Sequence, residues 1–392
     1  MPKIARAVLI LTLTSAVWTS GAPNGPPLSR QDQAPGGGTM TREPVGPGIE
    51  RIVIRRGDFA AILGGGRWTI HALTVDPARA RIGLGLALDE IVGTEAVRSI
   101  AARHGAVAAV NGGYFRTKGL LKGEPAGLMA LAGRILSEPA KGRASLAVAE
   151  IGGRTRIAIA HIRIQAEVAA GEDGRNARRI DGFNRDRGPN DLVVFTPEFH
   201  RTTLTDPGGA EAVVRGGKSI EMRDRAGSSP IPSDGAVISG RGAAAEWIRK
   251  HLAAGTAVEI RTKVEAEPPL PFPPEFLIGG GPRLLAEGKS IASEAAAFAD
   301  GFYATRHPRT AIGVRADGTI VLAAIDGRQP GLSVGMTIPE LAGLMADLGC
   351  VDALNLDGGG STTMVVKGEV VNSPSDSGGE RAVSDALLVF SR

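Results

Sequence analysis

The chain has a single cysteine, Cys350, which excludes an intrachain disulfide and a thiolate metal cluster. Aromatic residues are 4% of its 392 positions, so the core must be filled mainly by Ala, Val, Leu and Ile. Net charge is also small. Against 45 Lys and Arg stand 41 Asp and Glu, a balance of +4, and no basic block interleaves with aromatics. Both features exclude a nucleic-acid surface. The 6 histidines show neither H-x-x-x-H nor H-E-x-x-H spacing. No P-loop lysine, EF-hand loop or dinucleotide fingerprint occurs, and Ser361 lies outside a G-x-S-x-G elbow. Past the N-terminal segment, no apolar run is long enough for a membrane helix. Glycine is what the chain has in excess, with 55 residues.

The first residues read as a secretory signal. Lys3 and Arg6 precede an apolar run, Ala7 to Trp18, too short to span a bilayer, and small residues follow at Ser20, Gly21 and Ala22. The expected organisation is a signal over 1–22, a disordered Pro/Gly-rich linker over 23–48 and one folded domain over 49–392. A subdomain boundary is expected near the prolines of 268–274. The protein is therefore expected to be secreted or extracytoplasmic, in the bacterial periplasm or cell envelope. Oligomeric state is left open.

Strand patterns dominate the folded part, for example Arg51 to Ile54 and the alternating Thr69 to Val75. Further strands are expected at Arg81–Leu88, Thr155–Val168 and Ala257–Val264, with a surface loop over Gly171–Asn190. Asp317-Gly318 suits the turn of a hairpin. Helices are expected after Thr94, with Val97, Ile100 and Ala101 inward, and over Ala243–Leu252. A third follows the capping box of Thr337 and Glu340, where Leu341, Leu344, Met345 and Leu348 repeat at helical spacing. The expected class is α+β: mixed, strand-rich sheets, a few packed helices, and glycine-rich loops at strand ends forming a cleft.

Twice the chain writes helix, glycine, short buried strand, polar residue, glycines: at Asn111-Gly112-Gly113 and at Asp357-Gly358-Gly359-Gly360-Ser361-Thr362. Glycine lets a backbone turn with positive φ and gather N–H groups at one point, which suits an anion. A tight turn between strands would use the same residues. By analogy with α/β sheets, where ligands gather at strand ends, Asn111 and Asp357 are expected to face one cleft. Other polar clusters add carboxylates (Asp326, Asp376, Asp385) and guanidinium groups (Arg283, Arg309, Arg381). Arginine forks match phosphate oxygens, and carboxylates act as acid, base or nucleophile at a glycosidic carbon. Structural ion pairs and turn aspartates explain the same residue types equally well.

The run Asn355-Leu356-Asp357-Gly358-Gly359-Gly360-Ser361-Thr362-Thr363-Met364 resembles the signature of the phosphodiester glycosidases. The likeness extends, in order, to Asn111 through Phe115, Gly280-Gly281-Pro282, Arg309 through Gly313, Asp326-Gly327-Arg328, Gly335-Met336-Thr337 and Asn372 through Asp385. The resemblance implies Asp357 and Asp326 as acid, base or nucleophile, and Arg309 as the catalytic group holding phosphate. It further implies Asn111, Gly112, Gly281, Arg328, Gly358, Gly359, Gly360, Ser361, Thr362 and Arg381 as the substrate- and phosphate-binding set. The implied activity is hydrolysis of a sugar-1-phosphodiester to free sugar and phosphomonoester, on cell-envelope or exopolysaccharide glycans. No cofactor is expected, although the aspartates leave a divalent cation open. The expected partner is a sugar-phosphate or glycan. The rival readings are a non-catalytic binder of envelope sugar phosphates and a phosphodiesterase that cuts P–O.

Overall fold

The computed structural model describes residues 30–34, 37–57, 66–291 and 297–392. The expected signal segment lies outside them. Among the described residues strands supply most of the regular secondary structure, joined by three α-helices: Val97–Arg103, Ala243–His251 and Ile338–Asp347. The expected strand-rich sheets with a few packed helices are present, and the class is mostly β rather than α+β. Pairing is antiparallel throughout, except that Gly182–Phe183 runs parallel to Leu192–Phe195. The cause is connection length. Most strands here are joined by hairpins, whereas parallel neighbours need long crossovers.

The strands form four sheets, of nine, seven, five and five strands. The nine-stranded sheet centres on Trp68–Val75, Ile320–Ile325, Arg309–Arg315 and Cys350–Asn355, with Arg283–Ala286 beyond them. One five-stranded sheet is built around Ala108–Asn111, flanked by Met364–Val366 and by Asp385–Ser391. The inner faces of these two sheets meet the seven-stranded sheet in one core. Leu322, Ile312 and Leu354 pack there with Val110, Leu387, Met364, Leu146 and Ile278. Leu354 is fully buried, so trimming it to Ala costs about 2–5 kcal/mol. Cys350 is buried as a small hydrophobe behind the helix.

The Ile338–Asp347 helix begins as its sequence requires. The Thr337 hydroxyl accepts from the Glu340 amide, and the Glu340 carboxylate accepts from the Thr337 amide. Elsewhere local reading erred. The Val97–Arg103 helix has Ala96 at its N-cap and no side-chain cap, so Thr94 does not start it. The stretch expected to be linker contains strands Arg30–Gln33 and Thr39–Gly46. Thr39–Gly46 folds back on Ile49–Arg56, with Met40 opposite Ile54. Of the Gly/Pro punctuation read as disorder, Pro47-Gly48 is the hairpin's turn, with Gly48 at φ +71°. Within Gly171–Asn190, Asn176–Arg179 extends the seven-stranded sheet and Gly182–Phe183 the third. The prolines near 268–274 connect Val258–Glu267 with Phe276–Gly279, both in the seven-stranded sheet.

Candidate functional site

Antiparallel register gathers several strand ends at one edge of the nine-stranded sheet. Arg309 pairs with Ile325, Ala311 with Asn355, and Arg283 with Leu354. The residues just beyond those strands, Asp326, Pro308, Asp357 and Gly281, therefore collect together. Segment 356–363 then crosses to the five-stranded sheet, where Met364 pairs with Val110 and Ala386 with Asn111.

Asn111 fastens this crossing. Its Nδ2 donates to the Asp357 carbonyl at 2.7 Å, and its Oδ1 accepts from Thr310 Oγ1 at 2.7 Å and from the Thr363 amide at 3.1 Å. The residue is fully buried, so it shapes the loop and does not itself present a free amide to a ligand. Gly112 must be glycine, because a Cβ there would stand 2.0 Å from Asp385 Oδ1. That oxygen already accepts the Gly113 amide at 2.9 Å.

Asp357 is the reactive candidate that the geometry retains. The residue is partly exposed, and its Oδ1 accepts the Gly358 amide at 2.9 Å. Burial of the carboxyl pushes its pKa up to about 6, aided by the nearby Asp385 carboxyl. The Ser361 hydroxyl, the Gly358 amide and the Arg381 charge pull it down less strongly. Ser361 Oγ is itself buried and faces that carboxyl without closing a well-formed hydrogen bond.

The glycine loop is not an open anion cradle. The Gly359 amide is spent on Pro308 O, Ser361 on Gly358 O and Thr362 on Gly359 O. The Thr362 hydroxyl faces Thr310 Oγ1 at 3.4 Å and is buried. What the loop does is permit close approach. A Cβ on Gly360 would meet Arg381 Nη2 at 2.1 Å and Asp376 Oδ1 at 2.2 Å, and one on Gly359 would meet Arg328 Nη2 at 3.0 Å. Thus two arginines lie against successive glycines beside Asp357.

Those arginines differ. Arg381 is held by Asp376 through two bonds, 2.7 and 3.0 Å. Arg328 is exposed, at φ +59°, and among the described residues its guanidinium hydrogen-bonds His307 Nδ1, at 3.3 Å. Burial and the Arg328 and Arg309 charges lower the His307 pKa.

Arg309 and Asp326, expected to be catalytic, are structural in their contacts. Arg309 is 2% exposed and donates to the carbonyls of Met336, Phe302 and Thr305, each at 2.9 Å. Burial pushes its pKa down to about 10, with the Arg328 charge adding to the shift. Asp326 is 1% exposed. Its Oδ1 accepts from Asn372 Nδ2 at 3.1 Å and the Ser373 amide at 2.8 Å, and Oδ2 lies 3.4 Å from His71 Nε2. It secures the segment that carries Asp376 and Arg381. Gly281 supplies a carbonyl to Tyr114 Oη at 2.8 Å and to Asn355 Nδ2 at 2.9 Å.

Sequence reasoning gave no role to an aromatic wall. Tyr114 lies 6.1 Å from Phe298 between ring centres, and Phe298 stacks on Phe302 at 4.7 Å. Arg143 stands over Tyr114 at 5.1 Å and over Phe298 at 4.5 Å. Burial raises the Tyr114 pKa, and the Asp357 charge raises it further, so this wall adjoins the reactive carboxyl. Tyr114 follows Asn111-Gly112-Gly113 directly, and that was the available signal. Phe298 carried none. Among the described residues no three His, Cys, Asp or Glu side chains cluster closely enough to hold a metal ion.

The structure thus sets Asp357 at a strand end on the glycine loop, with Arg328 and Arg381 against its glycines, and turns Arg309 and Asp326 to structural contacts. Residues 208–390 match the phosphodiester glycosidase family. The resemblance read from the motifs is borne out. The chain is 41% identical over 106 residues to a prophage-derived protein of Bacillus subtilis (strain 168), across 27% of this chain and 16% of that protein. It is 40% identical over 68 residues to the Bos taurus N-acetylglucosamine-1-phosphodiester alpha-N-acetylglucosaminidase, across 17% of this chain and 12% of that enzyme. The chain thus spans a small part of these curated relatives. A solved structure from Burkholderia pseudomallei K96243, named as an exported protein, superposes with a TM-score of 0.77 at 26% identity, across 95% of this chain and 98% of that one. A hypothetical protein from Synechocystis superposes at 0.70 and 26% identity, across 88% and 62%. Among the described residues no helix is long and apolar enough to cross a membrane.

Proposed function

We propose that the protein hydrolyses the glycosidic bond of a sugar-1-phosphodiester outside the cytoplasm, giving free sugar and a phosphomonoester. One observation carries the reading: the partly exposed Asp357 carboxyl sits on the glycine loop whose Gly359 and Gly360 meet the guanidinium groups of Arg328 and Arg381, and burial holds its pKa up. A carboxyl with a raised pKa suits a general acid. The leaving phosphomonoester accepts a proton near neutral pH, which suits a carboxyl whose pKa is raised. In the proposed step water adds to the anomeric carbon, the C–O bond breaks, and its electrons stay on the bridging oxygen. Asp357 gives that oxygen its proton, and Arg328 holds the phosphoryl charge. Asp376, clamped by Arg381 against Gly360, is the carboxylate assigned to take the proton of water.

Family membership of residues 208–390 and the named activity of the bovine relative support the reaction class. The expected signal and the exported name of the Burkholderia neighbour support the location. A recognition module would gain nothing from an acid whose burial costs stability at neutral pH, which favours an enzyme over a binder. Product analysis on a panel of sugar-1-phosphodiesters tests the reading. Free sugar with phosphomonoester is the expected outcome. Sugar phosphate with free alcohol would mean P–O cleavage and sink the mechanism.

A further inference from the structure

Arg143 belongs to two places at once. It caps the aromatic wall over Tyr114, and it lines an open groove of about 710 Å³ that leads away from the site along the Arg154–Ala170 strand. A second groove of about 700 Å³ continues it, the two sharing Ile164, Gln165, Ala166 and Arg179. From Ile162 to Glu167 the strand runs about 17 Å at the usual rise. Each groove alone has the volume of a small-ligand site.

The lining is positive once internal pairs are removed. Three acids face the first groove. Glu138 accepts from Arg185 Nε and from the Phe183 amide. Glu267 lies 3.9 Å from Arg163, and Asp181, which accepts the Leu192 amide, keeps its charge and is outweighed by Lys141, Arg143 and Arg179. Lys141 and Arg179 are exposed and meet no carboxylate among the described residues. Arg143 spends its Nε on the Ala297 carbonyl at 3.4 Å and offers its remaining charge to the aromatic rings. Such a surface attracts negative charge repeated along a chain.

Building on the proposed glycosidase reading, we infer that the substrate is a polymer, a glycan whose units are joined by phosphodiesters, held over several units along this groove. The scissile bond lies at Asp357, the adjoining sugar lies against the aromatic wall that Arg143 caps, and the following phosphates run past Arg143, Lys141 and Arg179.

The test is binding of a labelled phosphodiester-linked oligosaccharide to the full chain, by fluorescence anisotropy, alongside turnover of a single-unit sugar-1-phosphodiester. The probe variant is Lys141→Glu with Arg179→Glu, replaced by Lys141→Gln with Arg179→Gln if the reversal lowers the melting temperature. Expected is an affinity for the oligomer lower by about tenfold at low salt, a gap that narrows at high salt, and unchanged single-unit turnover. Equal oligomer binding by variant and wild type overturns the inference. So does equally tight binding of a single-stranded oligodeoxynucleotide of the same charge. Absence of single-unit turnover in the wild type would instead defeat the glycosidase reading, and the anisotropy comparison would still decide the groove.

Discussion

The side-chain amide of Asn111 donates to the backbone carbonyl of Asp357 at 2.7 Å, and through that bond the ends of two separate sheets are fastened at one carboxyl. Thr310 and Thr363 complete the knot on the other end of the amide. Asn111→Ala leaves the Thr363 amide and the Thr310 hydroxyl buried without their acceptor. Thermal or denaturant unfolding should show a loss of about 1–3 kcal/mol. Asn111→Asp should be worse, because an oxygen would then face the Asp357 carbonyl. A wild-type melting temperature in both variants would contradict this role.

Asp357→Asn separates chemistry from stability. Turnover should fall by about 10²–10⁴. The folded-state pKa is raised above its ordinary value by burial, to about 6. Below pH 4 the group is protonated in both folded and unfolded chains, and its contribution is complete. As pH rises through about 6 the native state must give up a proton it holds more tightly than the unfolded chain, so wild-type stability declines over that window. The asparagine variant lacks this decline and should be more stable than wild type at pH 8 by about 1–3 kcal/mol, with no such gain at pH 4. If Asp357 is the acid, wild-type kcat should also fall as pH rises through about 6. A rate that rises through that window would give Asp357 the base or nucleophile role.

Local chemistry made part of this site legible. Thr337, Pro339 and Glu340 start a helix by capping, and Cys350–Asn355 reads as a strand from its apolar run. The glycines of 358–360 announced a close approach. What approaches them left no local pattern, because Arg328, Asp376 and Arg381 arrive from other parts of the chain, and only the family resemblance joined Arg328 and Arg381 to these glycines. Asp326 and Arg309 carried the right residue types for catalysis, yet their burial depends on His71, Asn372, Phe302 and Met336. Pairing over such separations leaves no local periodicity.

Asp326→Asn tests that reassignment. The substitution keeps the shape but replaces an acceptor oxygen with a donor, against the Asn372 amide and Ser373 N–H or against His71. A loss of about 1–3 kcal/mol is expected. Limited proteolysis should cut faster within residues 373–381, since that segment loses its anchor. Reaction products should be unchanged. Proteolysis at the wild-type rate, with turnover abolished, would return Asp326 to the chemistry.

Arg328 and Arg309 make opposite predictions from the same residue type. Arg328 is exposed and among the described residues meets His307 and the face of Gly359, so the fold draws little on it. Arg328→Ala should leave the melting temperature near wild type and weaken transition-state binding by about 1.5–3 kcal/mol, the range for a charged hydrogen bond, read as roughly ten- to a hundredfold in kcat/KM. Arg328→Lys should recover only part of this, because a point charge cannot make the paired contact of a fork. Arg309→Ala instead strips donors from three carbonyls and a cation from the Phe302 ring 4.7 Å away. It should cost about 2–4 kcal/mol of stability. Since Phe302 stacks on Phe298, the aromatic wall should loosen with it. Steady-state kinetics beside calorimetry distinguishes the two. Lost kcat/KM in an Arg309 variant of unchanged stability would restore Arg309 as the phosphate ligand, and would leave Arg328 without the role argued for it.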